Sequence, residues 1–131
     1  MTAFLYESSV DSVRCDAYND DPTRVRRVAA KMASQESLTG LAAICAALGN
    51  PIRSAIYAAI RIEPLCVCEL SALLGYSSPA LMHHLRHLDR VGLISVRKEG
   101  KFAIYEPICI TAEGIFKAFD KEHCPTIGTK Q

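Results

Sequence analysis

With 131 residues the chain has the length of a single domain, short enough that pairing with a second copy would add usefully to its buried core. Half of the residues are hydrophobic and 22% are charged, the balance of an ordinary soluble globular protein. The net charge of +1 says nothing about nucleic acid, but its distribution does. Residues 1–23 carry Glu7, Asp11, Asp16, Asp20 and Asp21 against Arg14 alone, whereas residues 79–101 carry Arg86, Arg90, Arg97, Lys98 and Lys101 against Asp89 and Glu99. No apolar run approaches a membrane span, and no basic segment opens the chain as a signal peptide would. A cytoplasmic protein is therefore expected, with its six cysteines as reduced thiols rather than a disulfide framework.

Taken in order, residues 1–22 read as a polar, acidic arm that contains Cys15 and ends at Asp21-Pro22. Residues 23–124 read as the folded domain and 125–131 as a tail. A first helix is expected near Thr23, because Val25, Val28, Ala29 and Met32 recur at helical spacing. The polar run from Ser34 to Thr39 predicts a break or a surface turn. Leu41, Ile44, Cys45 and Leu48 form a second stripe that ends at Gly49, with Cys45 expected as a small buried hydrophobe and Met32 as a packing residue. Asn50-Pro51 should cap a third helix with Ile52, Ile56, Ala59 and Ile60 facing inward, and Pro64 keeps it from running further.

The stretch 65–94 is the most informative. Val67, Leu70 and Leu74 mark a short helix that Gly75 stops. Ser77-Ser78-Pro79 restarts the chain, with Ser78 expected as N-cap and Pro79 at the first helical position. Leu81, Leu85 and Leu88 give the second helix its buried stripe and leave His83, His84, Arg86, His87 and Arg90 mostly on its other faces. Two short helices about a glycine turn, the second one basic, read as a helix-turn-helix with a recognition helix for the DNA major groove. After Gly92, the alternating segments 94–98 and 101–105 flank Glu99-Gly100 as a β-hairpin with a cationic tip. A helix-turn-helix followed at once by a basic hairpin predicts a mainly α, winged-helix fold. Ser77, Ser78 and the polar residues of the recognition helix would contact DNA, and Arg97, Lys98 and Lys101 would lie along phosphate. Thr111 is expected to cap a last helix whose apolar face holds Ile115, Phe116 and Phe119. Apolar stripes on a first and a last helix, with little domain left to cover, suggest a homodimer whose two recognition helices lie about one DNA turn apart on a near-palindromic operator.

The Cys-Val-Cys-Glu-Leu start at Cys66, the His-His-Leu-Arg of the recognition helix, the Arg-Lys-Glu-Gly-Lys wing and the segment LGNPIR ending at Arg53 together resemble the ArsR/SmtB family of metal-responsive repressors, over residues 24–120. The resemblance implies dimerisation through the terminal helices and a metal box at Cys66 and Cys68.

Thiolates select soft, thiophilic ions, so the pair suits Cd(II), Pb(II), Zn(II), Cu(I) or trivalent arsenic. In a regular helix, residues two apart point about 200° from one another, so the two sulfurs can share an ion only at an irregular helix start. Where arsenic sensors of the family can carry a third cysteine, this chain has Ser71. The segment beginning at Cys15 resembles the arm of the family's cadmium/lead sensors, although Ala17 stands where a second arm cysteine is expected. The resemblance thus implies a three-sulfur site of Cys15, Cys66 and Cys68, suited to As(III) or Pb(II), with Cd(II) or Zn(II) wanting a fourth donor. The family's zinc site on the last helix falls by register on Cys109, Thr111, Glu122 and Pro125, and so is lost; Cys109, Asp120, His123 and Cys124 form a possible substitute.

An ion at the start of the helix preceding the recognition helix would shift the reading heads and release DNA. The alternative for the same cysteines is a redox or persulfide switch. No nucleophile–base pair, phosphate loop or HExxH motif points to an enzyme.

Overall fold

The computed structural model describes residues 22–122, so Cys15 and the arm, together with His123, Cys124 and the tail 125–131, lie outside the described residues. The described residues divide into two compact units, 22–42 and 43–122, with the boundary inside a helix.

In the first unit, α1 (Pro22–Lys31) starts on a proline, which needs no partner for an N–H there, and none of its residues is buried. Val28 and Met32 are exposed. The polar run expected as a break is shorter than its sequence suggests. Ser34 accepts the Ser37 N–H on its Oγ at 3.1 Å and so caps α2 (Gln35–Leu48), which already includes Gln35 to Thr39.

The second unit holds the C-terminal half of α2, then α3 (Pro51–Ile60), β1 (Leu65–Cys66), α4 (Val67–Leu74), α5 (Ser78–Val91), β2 (Ile94–Glu99), β3 (Phe102–Pro107) and α6 (Ile110–Glu122). Asn50 Oδ1 accepts the Ile52 and Arg53 N–H groups, so α3 begins where Asn-Pro predicts. Its inward face is Ile56, Tyr57 and Ile60, with Ile52 and Ala59 half-buried. Tyr57 is the addition, its hydroxyl donating to the Cys109 carbonyl at 3.3 Å and its ring stacked on Phe116 at 5.3 Å. Burial pushes its hydroxyl up to about 12, so it stays a neutral donor.

Leu81, Leu85 and Leu88 of α5 are buried as their spacing requires and close the core with Leu70, Leu93, Ile94 and Tyr105. The caps shift by one residue. Ser77, not Ser78, is the N-cap of α5, its Oγ accepting the Ala80 N–H at 3.3 Å, and Pro79 takes the second helical position. Gly75 and Gly92 end α4 and α5 at φ +79° and +89°, a conformation that a side chain would strain. The expected cap at Thr111 is replaced by Cys109, whose Sγ accepts the Ala112 N–H at 3.4 Å. Cys45 is exposed, contrary to expectation, because Ala47, Ile44 and Leu48 turn inward instead.

The wing is a three-stranded antiparallel sheet of order β1-β3-β2. Its hairpin turns one residue later than expected. Glu99 pairs with Phe102, so Gly100-Lys101 is the loop, with Gly100 at φ +64°. β1 adds a strand that the sequence did not announce, pairing Cys66 with Ile104. Because Ile104 also pairs with Arg97, these three residues form one row across the sheet and share a face.

Arg61 ties α3 to α6. It donates to both carboxylate oxygens of Glu113, at 2.7 and 3.0 Å, and to Asp120 at 2.9 Å, and lies 5.2 Å over the Phe116 ring. Arg61's hydrogen bonds hold the Glu113 carboxyl below its ordinary value of 4.5. A depressed carboxylate adds stability that is present above pH 4.5 and lost as pH falls through its folded value. Arg61→Met should therefore lower the melting temperature at neutral pH, and its gap to wild type should narrow below pH 4.5, as thermal melts across pH would record.

Candidate functional site

Two surfaces carry the candidate chemistry, both built on the second unit. The first is the outer side of α5. With Leu81, Leu85 and Leu88 committed to the core, the helical period puts Arg86, Arg90 and His83 on the exposed face, and His84 and His87 are half-buried at its flank. His84 titrates below its ordinary 6.5, first because of burial and then because of Arg53, His83 and His87; His87 is lowered by burial, Arg53, Arg90 and His83. Both shifts favour the neutral ring, and Arg86 and Arg90 supply permanent positive charge on this face. Ser77 is exposed at the N-terminus of the helix, and since its oxygen accepts from Ala80 its hydroxyl hydrogen is left to donate.

The wing cations are not equivalent. Arg97 is held by Glu99 and by Glu106, the latter at 3.2 Å, and these carboxylates raise its already high pKa. Lys98 and Lys101 are exposed beside the turn. Fixed positive charge at the tip thus rests on the two lysines, while Arg97 is drawn toward the sheet face it shares with Cys66.

The second surface is an open cleft of about 440 Å³ lined by Pro64, Cys66, Cys68, Glu69, Arg97, Glu99, Phe102 and Ile104. Cys66 stands outside the helix, an extended N-cap at φ −88° and ψ 169°, and Cys68 is in the first turn of α4. Cys66 therefore lies off the helical period that would otherwise turn the two side chains apart, and both residues line one cleft. Cys66 is 7% exposed; Cys68 is open to solvent. Glu69 accepts the Cys66 N–H at 3.0 Å, and this bond, followed by one from the Cys66 side chain, holds its carboxyl below the ordinary value. Among the described residues no group of three or more His, Cys, Asp or Glu side chains converges as a metal shell. Cys15, expected as the third sulfur, lies outside the described residues.

The other cysteine cluster is not brought together within its described part. Cys109 caps the start of α6, and Asp120 lies about 16 Å further along the axis by the helical rise, bound to Arg61. His123 and Cys124 lie outside the described residues. Two contributors escaped the sequence reading: Glu69, whose position three after the N-cap is a capping-box signal, and Arg53, which reaches His84 across 31 residues of chain. Among the described residues no single helix is long and apolar enough to cross a membrane.

Comparison with known proteins agrees with this architecture. A family model described as bacterial regulatory protein, arsR family, matches residues 50–96. The chain is 42% identical over 65 residues to a putative arsenical resistance operon repressor of Halobacterium salinarum, a match covering 48% of this chain and 50% of that one, so it spans half the length of this relative. It is 30% identical over 92 residues to a homolog of the cadmium resistance transcriptional regulatory protein CadC from Staphylococcus aureus, covering 70% and 75% of the two chains. Among solved structures, HlyU from Vibrio cholerae superposes with a TM-score of 0.65 at 26% identity, covering 70% of this chain and 99% of that one.

Proposed function

The chain belongs to the ArsR family of transcriptional regulators, and on that premise we propose that it is a metal(loid)-sensing repressor: a homodimer that holds operator DNA and lets go when a thiophilic ion binds Cys66 and Cys68. The observation that carries the proposal is the shared cleft. Its thiols stand where β1 passes into α4, and β1 is hydrogen-bonded to β3 of the wing. An ion held there acts on two DNA-facing parts, the wing through β1 and α5 through α4.

Soft sulfur donors fit trivalent arsenic, Pb(II) or Cd(II), and the relatives named for arsenical and cadmium resistance favour arsenic and cadmium among them. Cys15 is the proposed third donor. Coupling of about 1–3 kcal/mol, usual for allosteric proteins, would weaken DNA binding roughly 5–150-fold. The dimer is proposed to form through the terminal helices; α1 exposes Val28 and Met32, and α6 exposes Ile115 and Phe119.

To test this, reduced, metal-free protein is used to select sequences from a random duplex library, and the complex is then titrated with arsenite and with Cd(II) while sulfur-to-metal ultraviolet absorption and DNA release are followed together. Release in step with the absorption band supports the reading. Equal affinity with and without a saturating ion overturns it, and a reversible dithiol-dependent change in chelated buffer would point to redox control. In the same assay Lys98→Ala and Lys101→Ala should each weaken binding evenly across sequences and reduce the salt slope by about 0.9, the share of one phosphate contact.

A further inference from the structure

We infer that Arg53 is a positioning residue for DNA recognition: it fixes His84 in the tautomer whose Nδ1 accepts, so that Nε2–H is the donor offered to a hydrogen-bond acceptor on duplex DNA. The inference rests on the proposed function in one respect, that α5 is the helix that meets DNA.

Arg53 lies in the first turn of α3, and its guanidinium is anchored before it reaches the histidine. Nε donates to the Ala47 carbonyl at 2.7 Å and Nη2 to the Ala46 carbonyl at 3.4 Å, both in the last turn of α2. With two of its nitrogens so engaged the plane is set, and Nη1 lies 3.5 Å from Nδ1 of His84. A guanidinium has donors and no acceptor. In this contact Nδ1 must therefore present its lone pair, and the ring proton sits on Nε2. A protonated ring would set two cations against each other, so the same contact keeps the imidazole neutral. The groups facing His84 are Arg53 from α3 and His83 and His87 from its own helix, and all three act in that direction, along with burial.

The consequence is selective. A histidine free to exchange tautomers donates or accepts at either nitrogen. His84, its Nδ1 occupied, offers one donor and no charge. Guanine N7 and O6, adenine N7 and thymine O4 satisfy such a donor in the major groove, whereas the amino groups of adenine and cytosine do not. A phosphate oxygen is the other acceptor within the same chemistry.

The lock is read without DNA. In nitrogen–proton correlation spectra of the free wild-type protein at neutral pH, His84 should show a pyridine-like Nδ1 and a pyrrole-like Nε2, and Arg53→Met should return both to averaged shifts. Averaged shifts in wild type would overturn the inference. The DNA arm uses His84 variants, which leave the bonds of Arg53 to α2 in place. His84→Gln, whose amide N–H stands close to the Nε2–H position, should keep the affinity and sequence preference that wild type selects from a random duplex library. His84→Asn, which places its amide near the Nδ1 position, should lose about five- to tenfold, the worth of one net hydrogen bond. Loss confined to one base position identifies a base edge. Even loss across sequences, with the salt slope unchanged because the ring is uncharged, identifies phosphate. Equal binding by His84→Asn and wild type overturns the inference. A wild type that selects no sequence overturns the DNA reading of α5 instead, while the spectra still decide the Arg53–His84 lock.

Discussion

Cys68→Ser is expected to abolish ion-induced release while leaving fold and DNA affinity as they are. The side chain is exposed in the first turn of α4 and belongs to no part of the core, so the change removes no packing. The substitution exchanges a soft sulfur for a hard hydroxyl that does not ionise at neutral pH, which removes one arm of the chelate. The wild-type response of roughly 5–150-fold should fall to none. Fluorescence anisotropy of a labelled duplex under arsenite or Cd(II), with the sulfur-to-metal band recorded in parallel, checks it. Undiminished release by Cys68→Ser would mean that the ion uses other donors. Cys66→Ser is the companion variant, because serine is a favourable N-cap and position 66 is the N-cap of α4. It should lose the response as well and retain its melting temperature.

The parts of this molecule that were legible in its sequence are those governed by short-range periodicity. Leu81, Leu85 and Leu88 announce their face because polar residues fill the rest of α5, and Asn50-Pro51 announces a helix start by its own hydrogen bonds. In α2 the run Leu41 to Leu48 is apolar all round, so its phase was not legible, and Cys45 was assigned inward when Ala47 takes that place. β1 escaped because a two-residue strand has no period to read. That omission matters most for the site, since β1 carries Cys66 onto the wing sheet in one row with Arg97. The wing cations were legible as charges but not as partners: Glu106 lies on the neighbouring strand, and its contact with Arg97 follows from register. Arg53 on His84 and Arg61 on Glu113 and Asp120 join residues 31 to 59 positions apart, which no local pattern encodes.

The largest expected effect on stability is Leu85→Ala. Leu85 is 1% exposed on α5 and belongs to the same buried cluster as Ile56, Leu70 and Tyr105. Truncating it removes the transfer free energy of its side chain and leaves a cavity that its neighbours fill only in part, at a cost of about 2–5 kcal/mol. Native domains have a margin of roughly 5–15 kcal/mol, so this is a large fraction of the whole. At about 2–8 °C per kcal/mol, the span of the size classes on either side of this chain, the melting temperature should drop by at least about 4 °C. Leu73→Ala is the control. Leu73 is 62% exposed on α4, and its truncation should stay within about 0.5 kcal/mol. Urea denaturation of both variants beside wild type decides it, and a loss below about 1 kcal/mol for Leu85→Ala would mean that α5 does not close the core as described. Because Arg86 and Arg90 are carried on the other side of that helix, DNA binding by Leu85→Ala should fail on warming together with the fold, and persist at temperatures where the helix is still docked.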